Sequence, residues 1–286
     1  MKNIRLAFIT LLLLVLKSDP AMGTGWPQPK GGGYFKLDFY AIRARKFFSD
    51  DTKVYDINGA GTLFGTYTTS IYGEYGVTKR LTAIAYVPFF VRNTVNEGVG
   101  AITGEVLQPG LQNNHFGDVD LGLKYNFLRR GSFVMSATLL VGLPTGDASN
   151  PDLLYTGDGE FNQFGRVDFG YGAKRWYAAG FLGVNNRTDD FSEELRYQGE
   201  FGYWLKPGSL LANVKLVGVK SFNNGSPNNT GNGLFSNNVE YVSPQLGLHY
   251  EFKNKWGVSA TAAGAVSGRN ALAAPSFSLG VYKKVG

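Results

Sequence analysis

Charged residues spaced two apart are the groups in this sequence whose types and positions could carry chemistry. Lys36 with Asp38 and Arg166 with Asp168 are two examples, and apolar or small residues stand between and around them. On a β-strand, residues i and i+2 project from the same face, so the members of each pair lie side by side. Such groups pair with each other, hold water and attract the polar parts of a passing molecule. The chemistry they favour is electrostatic and involves no covalent step.

Covalent catalysis and metal binding find little support in the sequence. The chain has no cysteine and two histidines, His115 in a predicted loop and His249 on a polar strand face, and no G-x-S-x-G motif occurs. Carboxylates between Asp147 and Glu160 share one predicted loop and are of the type that binds Ca²⁺, but their spacing differs from that of an EF-hand. We therefore predict no enzyme, with no catalytic, cofactor or metal site.

The composition suits strands that have two different faces. Aromatic residues make up 14% of the chain and charged residues only 17%, which is the opposite of what a disordered chain needs. The mean hydropathy of −0.13 is no higher than that of a soluble protein. The net charge of +6 is too small and too evenly spread to indicate a nucleic-acid partner.

The start of the chain predicts export. Lys2 and Arg5 precede an apolar core from Leu6 to Leu16, and small residues follow around Ala21. This order is typical of a secretory signal peptide, and the core is too short to span a bilayer as a helix, which takes about 20 apolar residues. Removing residues 1–23 lowers the net charge from +6 to +4, since three basic residues and one acidic residue are lost.

From residue 34 onward the sequence alternates apolar and polar residues in segments of 10 to 14 residues. The clearest segment is Phe116–Phe127, in which one face is apolar and the other polar. The apolar face comprises Val119, Leu121, Leu123, Tyr125 and Phe127. Alternation of this kind is the signature of strands that separate two environments. Two segments, 176–185 and 210–219, are apolar on both faces.

The connections between segments distinguish a membrane barrel from a soluble sandwich. Short turns are predicted at 77–80, 129–132, 174–176, 206–209 and 253–256, and longer polar loops at 48–62, 93–115, 145–162, 186–194, 223–238 and 268–274. Short and long connections alternate strictly, as do the periplasmic turns and extracellular loops of outer-membrane barrels. The predicted fold class is all-β, a transmembrane antiparallel β-barrel of about 12 strands. The predicted division is a signal peptide over 1–23, a short irregular segment over 24–33 and the barrel over 34–286.

In such a barrel the polar strand faces line the lumen. The predicted lumen-lining residues are Lys36, Asp38, Glu74, Asp118, Asp120, Lys124, Arg166, Asp168, Arg196, Glu200, Lys215 and His249. On the lipid side each Arg or Lys would cost roughly 2 to 4 kcal/mol at the membrane midplane. The sequence leaves two roles open for them: a salt-bridged plug that stiffens the barrel, or a polar constriction along a path. Pro88 and Pro244 mark possible local breaks in strand pairing.

Aromatic residues cluster close to the short turns. They are Tyr75, Tyr125, Phe127, Trp176, Tyr177, Tyr203, Trp204 and Trp256. Amphipathic rings favour the boundary between membrane and water, so the cluster predicts an aromatic girdle at one interface.

Three motifs in order carry a resemblance to a known family. They are the run from Gly73 to Thr82 leading into Val87-Pro88-Phe89, the run from Phe116 to Tyr125, and Gly142-Leu143-Pro144-Thr145-Gly146-Asp147. Over residues 63–147 the chain resembles the meta-pathway phenol-degradation-type outer-membrane barrels, distant relatives of the long-chain fatty-acid transporters. The resemblance implies uptake of hydrophobic, often aromatic, small molecules.

The expected function is therefore passage of small, hydrophobic or aromatic molecules across the outer membrane of a Gram-negative bacterium. The expected partners are outer-membrane lipid and lipopolysaccharide, the barrel-insertion machinery and the small-molecule cargo, with no nucleic acid. The alternative is a barrel that transports nothing and serves a structural, adhesion or secretion-associated role. The long Asn- and Gly-rich loop 223–238 suits a surface role as well as a gate.

Overall fold

The computed structural model describes residues 25–57, 62–99, 104–226 and 236–286. The predicted signal peptide lies outside these residues. In the described part of the chain all regular structure is β, and no helix is long and apolar enough to cross a membrane. Twelve long strands form the body of the molecule: β1 (Gly33–Ala44), β2 (Phe64–Gly76), β3 (Leu81–Val95), β4 (Val119–Arg130), β5 (Phe133–Leu143), β6 (Asn162–Gly172), β7 (Trp176–Arg187), β8 (Glu194–Lys206), β9 (Leu210–Ser221), β10 (Glu240–Glu251), β11 (Trp256–Gly264) and β12 (Pro275–Val285).

The strands close into one antiparallel barrel. Each pairs with the next in sequence, and β1 pairs with β12 as well as with β2, so that Gly33 lies between Val285 and Tyr75. Closure gives each of the twelve long strands a partner on both sides, which is the condition for placing a β-structure in lipid. The predicted fold class, a transmembrane antiparallel barrel of about 12 strands, is confirmed.

Short and long connections leave opposite ends of the barrel. The turns after β2, β4, β6, β8 and β10 are short and lie at one end, together with the first residue of β1 and the last of β12. We call this the turn end, and the opposite end, with the longer connections, the loop end. The alternation agrees with the predicted pattern.

The barrel is apolar outside and polar inside. The side chain of Leu123 is 52% exposed, whereas the next residue, Lys124, is 1% exposed. Since side chains alternate between the two faces of a strand, this contrast places Leu123 on the outer wall and Lys124 in the lumen. The predicted apolar face of β4 is outward throughout, and Val, Phe and Tyr at such positions also suit the pleated backbone.

Near the turn end an outward aromatic girdle surrounds the wall. Its members are Tyr75, Tyr125, Phe127, Trp176, Tyr203 and Trp256, all exposed. The prediction is wrong for Tyr177 and Trp204, which point into the lumen and pack in a buried cluster there. Nearness to a turn does not decide the face of a residue; the parity of its position along the strand does.

Strand pairing changes at both prolines singled out in the sequence. β3 pairs with β4 only as far as Tyr86, and from Val91 onward it pairs with the short strand Leu111–His115. Across this break, Gly117 N donates to Pro88 O at 2.9 Å. At Pro244, β10 changes partner on one side, from β11 to the short strand Ser267–Arg269.

Loops partly cover the loop end. Short strands Lys46–Phe48, Val54–Asp56 and Ala271–Leu272 form a small sheet beyond the barrel, and Gly98–Val99 pairs with Val106–Gln108. Loop 144–161, between β5 and β6, reaches across to the loop ends of β1 and β2. There Leu154, 3% exposed, packs in a buried apolar cluster. The other buried members of that cluster are Ile42, Ala44, Phe64 and Leu272.

Candidate functional site: the barrel lumen

The irregular segment before β1 enters the lumen. Residues 25–32 lie outside the long strands, and β1 begins at Gly33. Gly31 N donates to Gly76 O at 2.8 Å, and Gly76 N donates to Gly32 O at 2.9 Å, which fixes the segment where it leaves the wall. From there the chain runs inward to Trp26, which is 7% exposed. The segment therefore enters the lumen.

Trp26 packs against apolar side chains of the inner wall. Its ring meets the ring of Tyr177 edge to face, with centroids 6.1 Å apart and an interplanar angle of 89°. Val134, Ala179 and Leu211 complete the buried cluster. This contact accounts for the apolar inner residues at the turn ends of β7 and β9, which meet Trp26 instead of water.

Polar wall residues bind the backbone of the inserted segment. Ser136 Oγ donates to Gly25 O at 2.9 Å, and Lys124 Nζ lies 3.4 Å from Trp26 O. Gln28 N donates to Thr82 Oγ1 at 2.9 Å. An irregular backbone needs such partners when it is buried, because unpaired N–H and C=O groups cost free energy. The segment is therefore held by specific hydrogen bonds as well as by packing.

Glu74 and Lys124 form an ion pair beneath the segment. Lys124 Nζ lies 3.0 Å from Glu74 Oε1, and the lysine side chain is 1% exposed. Gln28 Nε2 donates to Glu74 at 2.9 Å, and Tyr72 donates to it as well. Buried charges persist when they are paired and hydrogen-bonded in this way. The pair thus lies where the inserted segment fills the lumen.

Two further buried carboxylates continue this network. Glu200 accepts hydrogen bonds from Tyr177 and from Asn213 Nδ2, the latter at 2.8 Å, and lies 3.2 Å from Lys215 Nζ. Asp168 is 0% exposed and lies 3.0 Å from Arg166 Nε.

Aromatic rings hold the Arg166 guanidinium in place. The guanidinium lies 4.4 Å from the ring centroid of Phe181 and 5.6 Å from that of Phe164. Cation–π attraction at these distances adds to the ion pair with Asp168. We call the region lined by Glu74, Lys124, Asp168 and Glu200, together with segment 25–28, the filled sector.

The lumen beside β10, β11, β12 and β1 is solvated. Lys36 Nζ and Asp38 Oδ1 are 2.7 Å apart, and the two side chains keep 17% and 20% of their surface exposed. Lys284 pairs with Glu251, with 21% and 16% exposed. We call this region the solvated sector. At its turn end Tyr34 and Tyr282, on the neighbouring strands β1 and β12, pack together with ring centroids 5.3 Å apart.

A cavity of about 390 Å³ lies in the solvated sector towards the loop end. Its lining contains no charged side chain; it combines hydroxyl and amide groups with small and apolar residues. The polar members are Tyr40, Tyr241, Ser243, Gln245, Thr261, Ser276 and Ser278. The volume falls within the range of small-molecule sites, which is about 300 to 1,000 Å³. This cavity and the solvated sector together form the candidate site.

A charge cluster closes the loop end above β7 and β8. Arg187 pairs with Glu160, with Asp158 at 3.1 Å and with Glu194 at 2.9 Å, and Glu194 also binds Arg196 at 2.6 Å. Burial raises the pKa of Glu160 to about 8, partly opposed by Arg187 and reinforced by Asp158. The three carboxylates outnumber the two arginines, so protonation of one of them relieves like-charge repulsion.

Asp118 fastens loop 144–161 to the start of β4. Its carboxylate accepts hydrogen bonds from Gly146 N and Asp158 N, both at 2.9 Å. Burial raises the pKa of Asp118 to about 6, against the lowering effect of the Gly146 amide. Its predicted place on the lumen wall stays a prediction.

The other predicted lumen residues stand within strands on the inner face. Asp120 and Arg196 point to the loop-end half, and His249 lies between Leu211 and Ser259 on neighbouring strands. Within the described residues Nδ1 of His249 has no hydrogen-bond partner, so the histidine does not join the hydrogen-bond network through that atom. No group of three or more acidic or histidine side chains in the described chain is arranged to hold a metal ion.

The sequence did not predict the roles of Trp26 and Arg187. Trp26 lies in a stretch with no periodicity, and Arg187 is the last residue of its strand, next to a predicted loop. A signal for Trp26 did exist: a strand that is apolar on both faces needs an apolar partner inside the barrel. For Arg187 the signal is the cross-strand register, which sets it opposite Asn162 and close to Glu160.

Comparison with known proteins finds solved structures that have a similar fold. Neither a family model nor a curated protein matches this sequence. The solved structure of an outer-membrane channel from Pseudomonas putida F1 is similar, with a TM-score of 0.65 and 13% identity; the match covers 94% of this chain and 100% of that one. The NanC porin is similar with a TM-score of 0.52 and 9% identity, covering 87% of this chain and 100% of the porin. Both likenesses show the shared barrel fold.

Proposed function

We propose that this chain is an outer-membrane channel of a Gram-negative bacterium that passes small, hydrophobic or aromatic molecules. In this proposal the turn end faces the periplasm and the loop end faces the outside. The observation that carries the proposal is the lumen itself: one sector is filled by segment 25–28, yet the other keeps solvated side chains and a cavity of about 390 Å³. The barrels it resembles in fold include an outer-membrane channel and a porin.

The cavity supports an uncharged cargo. No charged side chain lines it, and Ile42, Leu272 and several alanines stand among its hydroxyl groups. Such a surface suits an apolar body with one or two polar groups. The sequence resemblance to the phenol-degradation-type barrels points to the same class of cargo.

Passage then follows from geometry. A molecule is captured among the loops, rests in the cavity and moves along the solvated sector, or it leaves through the wall at the break in pairing around Pro88. No covalent step is needed. Lipopolysaccharide and phospholipid surround the outer wall in this proposal, and the barrel-insertion machinery places the chain in the membrane.

A matched pair of substitutions tests transport. Ala263 lines the cavity, and the adjacent Ala262 faces outward on the same strand. We expect A263W to fill the cavity and abolish the uptake of the hydrophobic fluorophore phenylnaphthylamine by cells that express the chain. The A262W variant adds the same ring to the outer wall and should transport normally. Equal uptake by both variants, or no uptake above cells without the chain, would refute the proposal.

A barrel that transports nothing is the second candidate. The observation favouring it is the turn end, where segment 25–28 and the contact between Tyr34 and Tyr282 occupy the lumen. Conductance of the refolded barrel in a planar bilayer separates the two functions. Steady single-channel steps support a path for small solutes, whereas stable insertion without steps, combined with no fluorophore uptake, supports a structural role.

A further inference from the structure

Basic residues are concentrated at the turn end of the barrel. At every short turn at least one exposed Lys or Arg stands in the turn or at the end of the strand before it, and the inserted segment adds Lys30. We call these residues the basic ring. Its members are Lys30, Lys79, Arg80, Arg129, Arg130, Lys174, Arg175, Lys206, Lys253 and Lys255.

Asp and Glu side chains do not neutralise the basic ring in the described part of the chain. The turns 77–80, 131–132, 173–175, 207–209 and 252–255 contain no Asp or Glu. The nearest carboxylate in sequence, Glu251, is paired with Lys284. No ion pair to any member of the ring occurs in the described part of the chain. Ordinary surfaces intersperse the two signs, so a ring of one sign needs a partner of the other.

The opposite end of the molecule shows the reverse balance. The described loops carry acidic residues in number, for example Asp50 and Asp51, Asp152, and Asp189 and Asp190. The positive charge of the protein is therefore concentrated at one end of the barrel, and the excess at the turn end is larger than the net charge of the whole chain suggests.

The position of the ring identifies the partner. The cations stand next to the aromatic girdle: Arg175 directly precedes Trp176, and Lys255 directly precedes Trp256. Aromatic girdles mark the depth at which lipid headgroups meet water, and Lys and Arg next to them reach headgroup phosphates. Because every turn around the circumference contributes, the ring fits a planar leaflet that surrounds the barrel on all sides. A folded protein partner would contact only one sector.

We propose that the basic ring binds the headgroups of anionic phospholipids in the leaflet at the turn end, and so selects these lipids around the barrel. Each lysine or arginine near an anionic surface gains attraction that falls off within a Debye length. The inference rests on the proposed membrane location, but it does not depend on transport. It gives the outer wall a lipid preference in addition to its apolar contact.

Tryptophan quenching tests the proposal, because Trp176 and Trp256 are exposed on the outer wall beside the ring. The refolded barrel is placed in phosphatidylcholine vesicles containing the same fraction of either brominated phosphatidylglycerol or brominated phosphatidylcholine. We expect the anionic lipid to be enriched about threefold at these tryptophans, and the enrichment to weaken in 0.5 M NaCl. Equal quenching by both lipids would overturn the proposal.

Charge-neutralised variants locate the effect. The variant K174Q/R175Q/K206Q/K253Q removes four exposed cations that flank the reporting tryptophans, and it should lose the preference. The control R43Q/R45Q/K46Q/K53Q removes four exposed cations at the loop end and should keep it. Equal loss in both variants would contradict a specific ring, as would binding of soluble peptidoglycan fragments by the ring without any lipid preference. Fluorophore uptake is measured on the same proteins, so that a failed lipid preference with intact uptake leaves the proposed transport standing.

Discussion

Two sectors of one lumen use the same kind of ion pair in different ways. Lys124 and Glu74 form an ion pair in the filled sector, on β4 and β2, and Lys36 and Asp38 form one in the solvated sector, both on β1. Their exposure separates them: the Lys124 side chain is 1% exposed and that of Lys36 is 17%. The difference comes from segment 25–28, which covers one pair and leaves the other in contact with water.

This comparison answers the question that the sequence left open. In the filled sector the charges act as a plug, because they bind the backbone of the inserted segment and each other. In the solvated sector they are paired with each other, and each side chain keeps about a fifth of its surface exposed. A spacing of two residues places two charged side chains on the same strand face, where they can pair. Whether the pair acts as a plug or meets water depends on what lies opposite it in the lumen.

Removing the inserted segment should give the largest effect. In a variant that begins at Lys30, Trp26 and Gln28 no longer occupy the filled sector, and Lys124 and Ser136 become solvated. We expect the single-channel conductance in a planar bilayer to rise severalfold. A Trp26→Ala variant, which removes only the ring, should fall between this variant and the wild type. Unchanged conductance on removal of the segment would show that the two sectors do not differ as described.

The next largest effect is expected for Lys124→Met. This change leaves Glu74, 8% exposed as a residue, without its cation, and breaking a buried pair typically costs 3 to about 5 kcal/mol. The urea midpoint of the refolded barrel should fall accordingly. The double variant K124M/E74Q removes both charges and should recover much of the loss. A midpoint equal to that of the wild type would place this pair in water instead of in a plug.

The sequence predicts the barrel well because one physical rule governs it. Lipid outside and water inside impose a period of two, so Leu123 and Lys124 are assigned to opposite faces without any tertiary information. The same rule predicts which charges face the lumen. It does not predict that Asp118, which stands just before β4, binds the backbone of loop 144–161.

The inserted segment could not be placed by that rule. Residues 25–32 have no periodicity, and their position depends on contacts with residues more than a hundred positions away, such as Ser136 with Gly25. The girdle assignment failed at Tyr177 for a related reason: its inward ring is favoured by Trp26, which only the fold brings near. The apolar inner residues of β7 and β9 are the feature of the sequence that indicates this contact.

The buried charge cluster around Glu160 at the loop end should make the stability of the barrel depend on pH. The pKa of Glu160 is raised to about 8 in the folded protein, above its ordinary value of 4.5, so between these pH values the native state binds more protons than the unfolded state. The free energy of unfolding should therefore fall as the pH rises from about 5 to 8. We expect Glu160→Gln to flatten this dependence, measured as urea midpoints at several pH values. A stability that rises with pH through this range would contradict the assignment.

The smallest effect on stability is expected for Lys36→Met in the solvated sector. Water can solvate Asp38 when its partner is lost, so the cost should be at most about 1 kcal/mol, as for other solvated pairs. The consequence should appear instead in permeation, since the path now carries an unpaired carboxylate: the reversal potential across a KCl gradient should shift towards cation selectivity. Lys220→Met is the control, because Lys220 pairs with Glu240 at the loop end and is 57% exposed. If Lys36→Met destabilises the barrel as much as Lys124→Met and leaves the selectivity unchanged, the charges of both sectors are parts of one plug.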